Sequence, residues 1–233
     1  MKVIEIRGLT YTYPDGKKAL DNIDLDVFQG ETLGIIGPNG AGKTTLILHF
    51  NGILMNENSM IKIFDIPLNN KTKKEIRKKV GIVFQNPDDQ LFMPTVFEDI
   101  AFGLLNLGLP QNDIRKKVKY ILESIGLSGY GERASHHLSF GEKKKVALAS
   151  VLVMEPEILV LDEPTSELDP ASKRELIEII RSLKITKIIA SHDINMIKKL
   201  CERVIILNNG RKVIEGKIQI LNDESLLFKN RLM

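Results

Sequence analysis

Apolar positions along this chain change their spacing twice. Val3 to Arg7 predicts a strand. Ile23, Leu25 and Val27 then alternate with Asp24 and Asp26, the period of two expected of a half-buried strand. Pro14-Asp15-Gly16 lies between these segments and predicts a hairpin-type turn, so the first thirty residues read as antiparallel. From Thr32 the alternation gives way to short, unbroken apolar runs. "TLGIIG" stops at Gly37, and "KTTLILHFNG" predicts a helix ending at Gly52. "VGIVFQ" predicts a further strand over 80–85. Residues from about 95 to 155 read as helical, with Ile114, Val118, Ile121, Leu122 and Ile125 on one stripe. "EILVLDEP" is unbroken in the way of strands buried in parallel sheets. A helix follows, with Asp169 as N-cap, Pro170 at its first position, and Leu176, Ile179, Ile180 and Leu183 inward. "TKIIASHD" predicts one more strand, and "RVIILNNGRKVIEG" a hairpin across Asn209-Gly210.

This order predicts the α/β class: a parallel-sheet core, an N-terminal antiparallel layer and a helical subdomain over about 86–155. Residues of about 1–85 and 156–233 form the core, and the whole of 1–233 is expected to be one domain. Composition alters this little. An apolar content of 43% and a charged content of 27% are ordinary for a globular protein. A formal net charge of +3 gives no nucleic-acid footprint. Cys201 is the single cysteine, which excludes an internal disulfide, and it reads as a small buried hydrophobe. The start "MKVIEIRG" has no apolar signal region, and no window approaches the roughly 18 apolar residues of a membrane span. A cytosolic protein is expected, with any membrane role exerted through partners. The lysine-rich segment 71–79 reads as a solvated helix face.

The chemistry concentrates in three places. "GPNGAGKTT" follows the strand Thr32–Ile36 and opens a helix, matching G-x-x-x-x-G-K-[ST] in the context that pattern requires. Gly37, Gly40 and Gly42 let backbone N–H groups approach phosphate oxygens, within a loop completed by Pro38, Asn39, Ala41 and Thr45. Lys43 is expected to reach the β- and γ-phosphates, and the Thr44 hydroxyl to bind Mg²⁺. Asp162 and Glu163 end the second buried strand, at the sheet edge where ligands of α/β folds bind. Asp162 is expected to hold Mg²⁺ through water, and Glu163 to deprotonate a water attacking the γ-phosphate. His192 ends a third strand and is expected to contact the γ-phosphate, whereas His49, His136 and His137 read as structural. The helix entry "LSFGEKKK" breaks a charge rule, because first helical turns favour acidic residues. Its lysines are expected to be solvated and to offset Glu142.

With these residues placed, the chain resembles the ATP-binding-cassette (ABC) ATPases, P-loop NTPases, over nearly its full length. By that resemblance Tyr13 is the aromatic that stacks on adenine, although Tyr11 lies on the same strand face and is the alternative. Gly37–Thr45 is the Walker A loop, and Gln85 is the Q-loop glutamine, with a part in catalysis and in Mg²⁺ binding. "LSFGE" is the signature loop, Ile158–Glu163 is Walker B, Ser166–Asp169 is the D-loop and His192 is the switch histidine. "VFQNPDDQLFMPTVFEDIAFG" is similar to the Q-loop region of the energy-coupling-factor importers, including the CbiO-like cobalt ATPases. The resemblance implies ATP and Mg²⁺ as cofactors. It implies a head-to-tail dimer of ATPase subunits in which Ser139 and Gly141 of one chain meet the ATP of the other. It also implies a membrane T subunit whose coupling helices dock beside the Q-loop, a separate substrate-binding membrane subunit, and a peripheral place on the cytoplasmic side of the membrane. Asp88 and Asp89 would face basic coupling-helix residues or remain solvated loop acids. A soluble non-transport ATPase and a catalytically weak regulatory partner are the alternatives. Phe140 and Glu142 depart from the usual L-S-G-G-Q signature, and the sequence stops at Met233, soon after its last recognisable element, where many such relatives have a longer tail for pairing, so the resemblance does not carry pairing through that tail over to this chain.

Overall fold

The computed structural model describes residues 1–56 and 60–232. The chain divides into two compact units, one of Met1–Val80, Glu157–Glu163 and Lys184–Met233, the other of Gly81–Pro156 and Pro164–Leu183.

In the first unit, strands β1 (Lys2–Thr12) and β2 (Lys18–Phe28) pair antiparallel, with Ile4 opposite Val27, Ile6 opposite Leu25 and Leu9 opposite Ile23. The period-two expectation holds, since Ile23, Leu25 and Val27 are buried and Asp24 is exposed. Both strands are longer than the sequence pattern predicts, because polar residues such as Thr10 and Asp21 continue the ladder beyond the apolar stretches. Strand β3 (Thr32–Ile36) opens a second sheet. Helix α1 (Lys43–Leu48) is shorter than the predicted 43–52. Its last turn tightens, with His49 N–H donating to Leu46 O and Phe50 N–H to Ile47 O, and Gly52 then takes φ +70°. Strands β4 (Met60–Ile63) and β5 (Ile66–Pro67) form a hairpin that the apolar pattern does not announce. Phe64 and Asp65 hold φ of 49° and 62° there, where the turn chemistry of Asn-Gly would be expected. β4 pairs with β1, giving the sheet order β2-β1-β4-β5.

Helix α2 (Lys73–Lys79) buries Ile76 and leaves Lys74 and Lys78 in solvent, as the sequence suggests, while Lys73 and Lys79 are half-buried. Strand β6 (Val80–Val83) carries the chain from the first unit into the second, and ends two residues short of the predicted strand. Helices α3 (Val96–Asn106), α4 (Gln111–Ser124) and α5 (Phe140–Leu152) fill the predicted helical stretch, separated by loops. The stripe Ile114, Val118, Ile121, Leu122 and Ile125 is buried throughout. Buried Asp99 fastens these loops by accepting from Ser135 Oγ at 2.6 Å and from the N–H groups of Phe92 and Met93, each at 2.9 Å.

The remaining strands of the parallel sheet are β7 (Ile158–Asp162) and β8 (Thr186–Ser191), whose residues are all buried, and β9 (Arg203–Asn208). β3 runs parallel to both β8 and β9, and β7 runs parallel to β8. This two-sided burial explains why these runs carry no alternation. Helix α6 (Pro170–Ser182) lies in the second unit, and Asp169 caps it by accepting from Ala171 N–H and Ser172 N–H. Its inward face is Leu176, Ile177 and Ile180, while Ile179 and Leu183 are only half-buried, a shift of one position from the predicted stripe. Helix α7 (Ile194–Leu200) follows β8. β10 (Arg211–Lys217) returns antiparallel to β9 through Asn209 and Gly210, both at positive φ as the predicted tight turn demands. Helix α8 (Glu224–Lys229) comes last.

Candidate nucleotide site

The phosphate loop begins where β3 ends. A side chain at position 37 would place its Cβ 2.4 Å from Leu207 O of β9, so only glycine fits against that strand. Gly42 stands at φ +101° with Ala19 O 2.7 Å from its would-be Cβ. The chain thus folds into a bare-backbone cradle, on which Pro38, Asn39 and Gly40 form the outer rim while Ala41 is buried beneath. Lys43 is only 7% exposed and turns back into this cradle. Its ammonium donates to Gly37 O at 2.8 Å and Pro38 O at 3.3 Å, and lies 3.6 Å from Glu163 Oε1. Its ammonium is thus held inside the loop by backbone carbonyls, within reach of an anion bound there.

The neighbouring residues divide between solvent and core. Thr44 is exposed and donates its hydroxyl to Asp162 Oδ2 at 2.7 Å, which brings two hard oxygen donors to one point at the end of β7. Thr45 is buried and shares a hydrogen bond with the Tyr13 hydroxyl at 3.0 Å. Tyr13 lies one residue past the end of β1, beside the loop, and is half-exposed. The Tyr11 ring instead packs edge-on between Tyr13 and His49, with centroids 5.1 and 4.9 Å away. His49 is fully buried and bonds through Nδ1 to Thr45 O at 2.7 Å. Burial pushes its pKa down against the raising effect of that bond, so it packs as a neutral ring.

Glu163 follows Asp162 with φ 42°, continuing the sheet by donating its N–H to Ala190 O at 2.8 Å. Its carboxylate is buried and held on both oxygens. Oε2 accepts from Ser191 Oγ at 2.7 Å; Oε1 accepts from His192 N–H at 3.0 Å and lies 2.9 Å from His192 Nδ1. The His192 side chain is otherwise 60% exposed. Lys43, Glu163 and His192, far apart in sequence, thus meet around one carboxylate oxygen. Ser191 belongs to this cluster and was not singled out by sequence pattern. Its only signal was its place at the carboxyl end of a buried strand.

Thr44 Oγ1 and Asp162 Oδ2 fit Mg²⁺, which takes hard oxygen ligands and completes its shell with water and phosphate oxygens. Among the described residues no group of three His, Cys, Asp or Glu side chains forms a cage that would hold a metal without a substrate. The other predicted Mg²⁺ residue, Gln85, lies in the second unit, exposed in the loop after β6.

The second unit carries the signature segment. Ser139 is exposed as the N-cap of α5, and Glu142 completes a capping box with it. Glu142 Oε2 accepts from Ser139 N–H and Oγ–H, each at 2.8 Å, and Oε1 accepts from Tyr130 Oη–H at 2.8 Å. The Ser139 backbone bond and the Tyr130 hydroxyl hold the Glu142 carboxyl below its usual range. Glu142 is therefore spent inside its own chain, where it secures the helix end. Gly141 faces α6: a Cβ there would stand 2.7 Å from Ser172 Oγ and 2.9 Å from Ser172 Cβ.

The expectation that Lys143–Lys145 are solvated is overturned. Lys144 is 2% exposed and donates to Gln85 O at 2.6 Å and Ser166 Oγ at 3.3 Å. Lys143 pairs with Asp88 at 2.7 Å and Lys145 with Glu175 at 3.2 Å. These lysines have partners supplied by the loops and by helix α6 packed on α5, which no local pattern reveals. Asp88 is likewise engaged by Lys143, while Asp89 is exposed. Gln90 bridges as well: its amide donates to Ala147 O at 2.7 Å and Ser150 Oγ at 2.9 Å, and accepts from Phe84 N–H at 3.2 Å.

A bare phosphate cradle on a parallel sheet, a strand-end carboxylate pair and an antiparallel first layer define a P-loop ATPase of the cassette type. Comparison with known proteins agrees. A family model described as ABC transporter matches residues 20–166. The energy-coupling factor transporter ATP-binding protein EcfA of Methanothermobacter thermautotrophicus is 51% identical over 99% of this chain and 76% of its own. CbiO1 of Clostridium perfringens, described as part of the ABC transporter complex cbiONQ, superposes with a TM-score of 0.86 at 39% identity, covering 99% of this chain and 95% of its own. The cassette MJ0796, solved as a post-hydrolysis dimer with ADP and Pi, gives 0.83 at 27% identity, over 92% and 98%. The chain belongs to the ABC transporter family, and it is an ABC ATPase.

Proposed function

We propose that this chain is the ATP-hydrolysing subunit of an energy-coupling-factor importer. The observation that carries the reading is the meeting of Lys43, Glu163 and His192 beside the Thr44–Asp162 pair. The likeness to an archaeal EcfA over nearly the whole chain, and to a CbiO1 structure, supports the importer type. The phosphate cradle Gly37–Thr45 binds the β- and γ-phosphates of ATP, and Lys43 exchanges its loop carbonyls for phosphate oxygens. Tyr13 supplies the face for adenine. Thr44 and Asp162 hold Mg²⁺, with Gln85 completing the set, and the ion supplies neutralising charge to the phosphates. Glu163 takes the proton of the attacking water, and His192 steadies the γ-phosphate.

Two such chains close head to tail, so that Ser139 and Gly141 of one face the ATP of the other. The γ-phosphate is the contact that holds the pair closed, and its loss on hydrolysis releases it. Residues of about 1–85 and 156–233 act as the nucleotide-binding core, and about 86–155 as the helical subdomain that moves against a membrane T subunit beside the Q-loop. No described helix is long and apolar enough to cross a membrane. By its likeness to an EcfA and to a CbiO1, this subunit works peripherally, at the cytoplasmic face. A separate membrane subunit selects the cargo, a vitamin, cobalt or another metal ion.

The test is Glu163→Gln, which keeps the shape and removes the base. Hydrolysis should fall by about 10²–10⁴-fold while ATP still binds. Size-exclusion chromatography should then show a dimer with MgATP and a monomer without it. A monomer in both conditions, with normal nucleotide binding, would refute the homodimer and point to a different second ATPase.

A further inference from the structure

The two oxygens of Glu163 are held by unlike groups. Oε2 is bound by Ser191 Oγ at 2.7 Å, and Ser191 is 1% exposed. The serine oxygen in turn accepts from Asp193 N–H at 3.1 Å. Because Ser191 Oγ accepts from that fixed N–H, its own proton is directed to the carboxylate. Both ends of this chain of bonds belong to regular elements: Ser191 is the last residue of β8, and Asp193 is the N-cap of α7, accepting from Met196 N–H at 3.1 Å. Oε1, by contrast, faces Lys43 and the His192 ring. It accepts one bond from the His192 backbone N–H at 3.0 Å, and its remaining neighbours are the largely exposed His192 ring and the Lys43 ammonium 3.6 Å away, two side chains that a nucleotide phosphate would draw away to free a lone pair.

We propose that Ser191 is a positioning residue for hydrolysis: it anchors Glu163 by Oε2, leaving Oε1 as the oxygen that takes the proton of the attacking water. The proposal rests on the reading of Glu163 as the base. The terminal torsion of a glutamate side chain is broad, so the Glu163 backbone alone does not select one carboxylate orientation. The buried hydroxyl does. In the chemistry, the water O–H bond breaks, its proton passes to Oε1, and the hydroxide oxygen bonds the γ-phosphorus as the bond to the bridging oxygen of ADP breaks. Ser191 gives up no proton at any stage.

The experiment uses the purified full chain and single-turnover hydrolysis of MgATP by Ser191→Ala, Ser191→Thr and Ser191→Val. Thr and Val have the same shape, so any crowding at this buried position is shared and only the hydroxyl differs. Ser191→Val should hydrolyse about 10–100-fold more slowly than Ser191→Thr. Ser191→Ala should fall in the same range against wild type, with the Kd for ATP changed less than about twofold, since the serine is buried and its hydroxyl bonds Glu163 and Asp193 N–H. Equal rates for the Thr and Val variants, while Glu163→Gln is inactive, would overturn the anchor and leave the base in place. Turnover retained by Glu163→Gln would overturn the base reading itself. A parallel loss of ATP affinity and rate in Ser191→Val alone would assign Ser191 a structural role and also reject the proposal.

Discussion

Gly141 offers a test in which stability and chemistry separate. In a signature loop a lost glycine is readily explained by blocked approach of a phosphate, yet the structure supplies a second reason inside the chain. A Cβ at 141 would stand 2.9 Å from Ser172 Cβ and 2.7 Å from its Oγ, with Leu168 Cδ2 next at 3.8 Å. Carbon atoms rest about 3.5–4.0 Å apart, so the start of α5 and the first turn of α6 must part by roughly 0.6 Å or more. Overpacking of this kind costs about 1–3 kcal/mol. For a chain of this size that lowers Tm by roughly 2–12 °C. Ser172→Gly removes both clashing atoms and keeps the N–H that bonds Asp169, at a cost of up to about 1 kcal/mol for glycine in a helix. The double variant should then be more stable than the sum of the single variants by about 1–2 kcal/mol, read from urea unfolding of all four proteins. Strict additivity, within about 0.3 kcal/mol, would refute the packing argument. ATPase assays on the same set decide the rest. Recovery of hydrolysis in the double variant would mean that the clash explains the loss. A stable but inactive double variant would mean that bare backbone is needed at 141 for the nucleotide.

Two other outcomes follow from buried polar groups. Lys144→Met keeps the apolar stem but removes a charged donor from Gln85 O and Ser166 Oγ. Set against relief of a buried cation, the net loss should be about 1–3 kcal/mol, and an unchanged Tm would show that these bonds contribute nothing. His49 gives an acid sensitivity whose sign is set by its burial. Its folded pKa lies below the ordinary 6.5, so only the unfolded chain takes up the proton readily as pH falls below about 6.5. Its contribution is complete above that pH and is lost on acidification below it, by up to about 1.4 kcal/mol per pH unit. Urea midpoints measured from pH 7.5 to 5 should therefore fall more steeply for wild type than for His49→Phe. Equal slopes would show that the ring is not held neutral.

The chain's own order of residues determined most of the architecture and the phosphate loop. Continuous apolar runs such as Ile158–Leu161 are what two-sided burial requires, and a glycine-rich turn before Lys43 and Thr44 has few uses other than anion binding. Strand-end carboxylates and His192 were legible because the carboxyl edge of a parallel sheet is one place in space, wherever its residues stand in sequence. Three things lay beyond local pattern. The Phe64-Asp65 hairpin forms because β4 finds β1 as a partner, which outweighs turn residues of poor propensity. The lysines after the signature serine look like a solvated stripe, but the loops of the second unit fold over them and bury Lys144 among carbonyl and hydroxyl acceptors. Ser191 became visible only as the donor to Glu163 Oε2. Sequence periodicity reports which face of an element is dry. Which polar atom meets which is decided by the packing of elements distant in the chain, and the partners of Lys144 and Glu163 are set at that level.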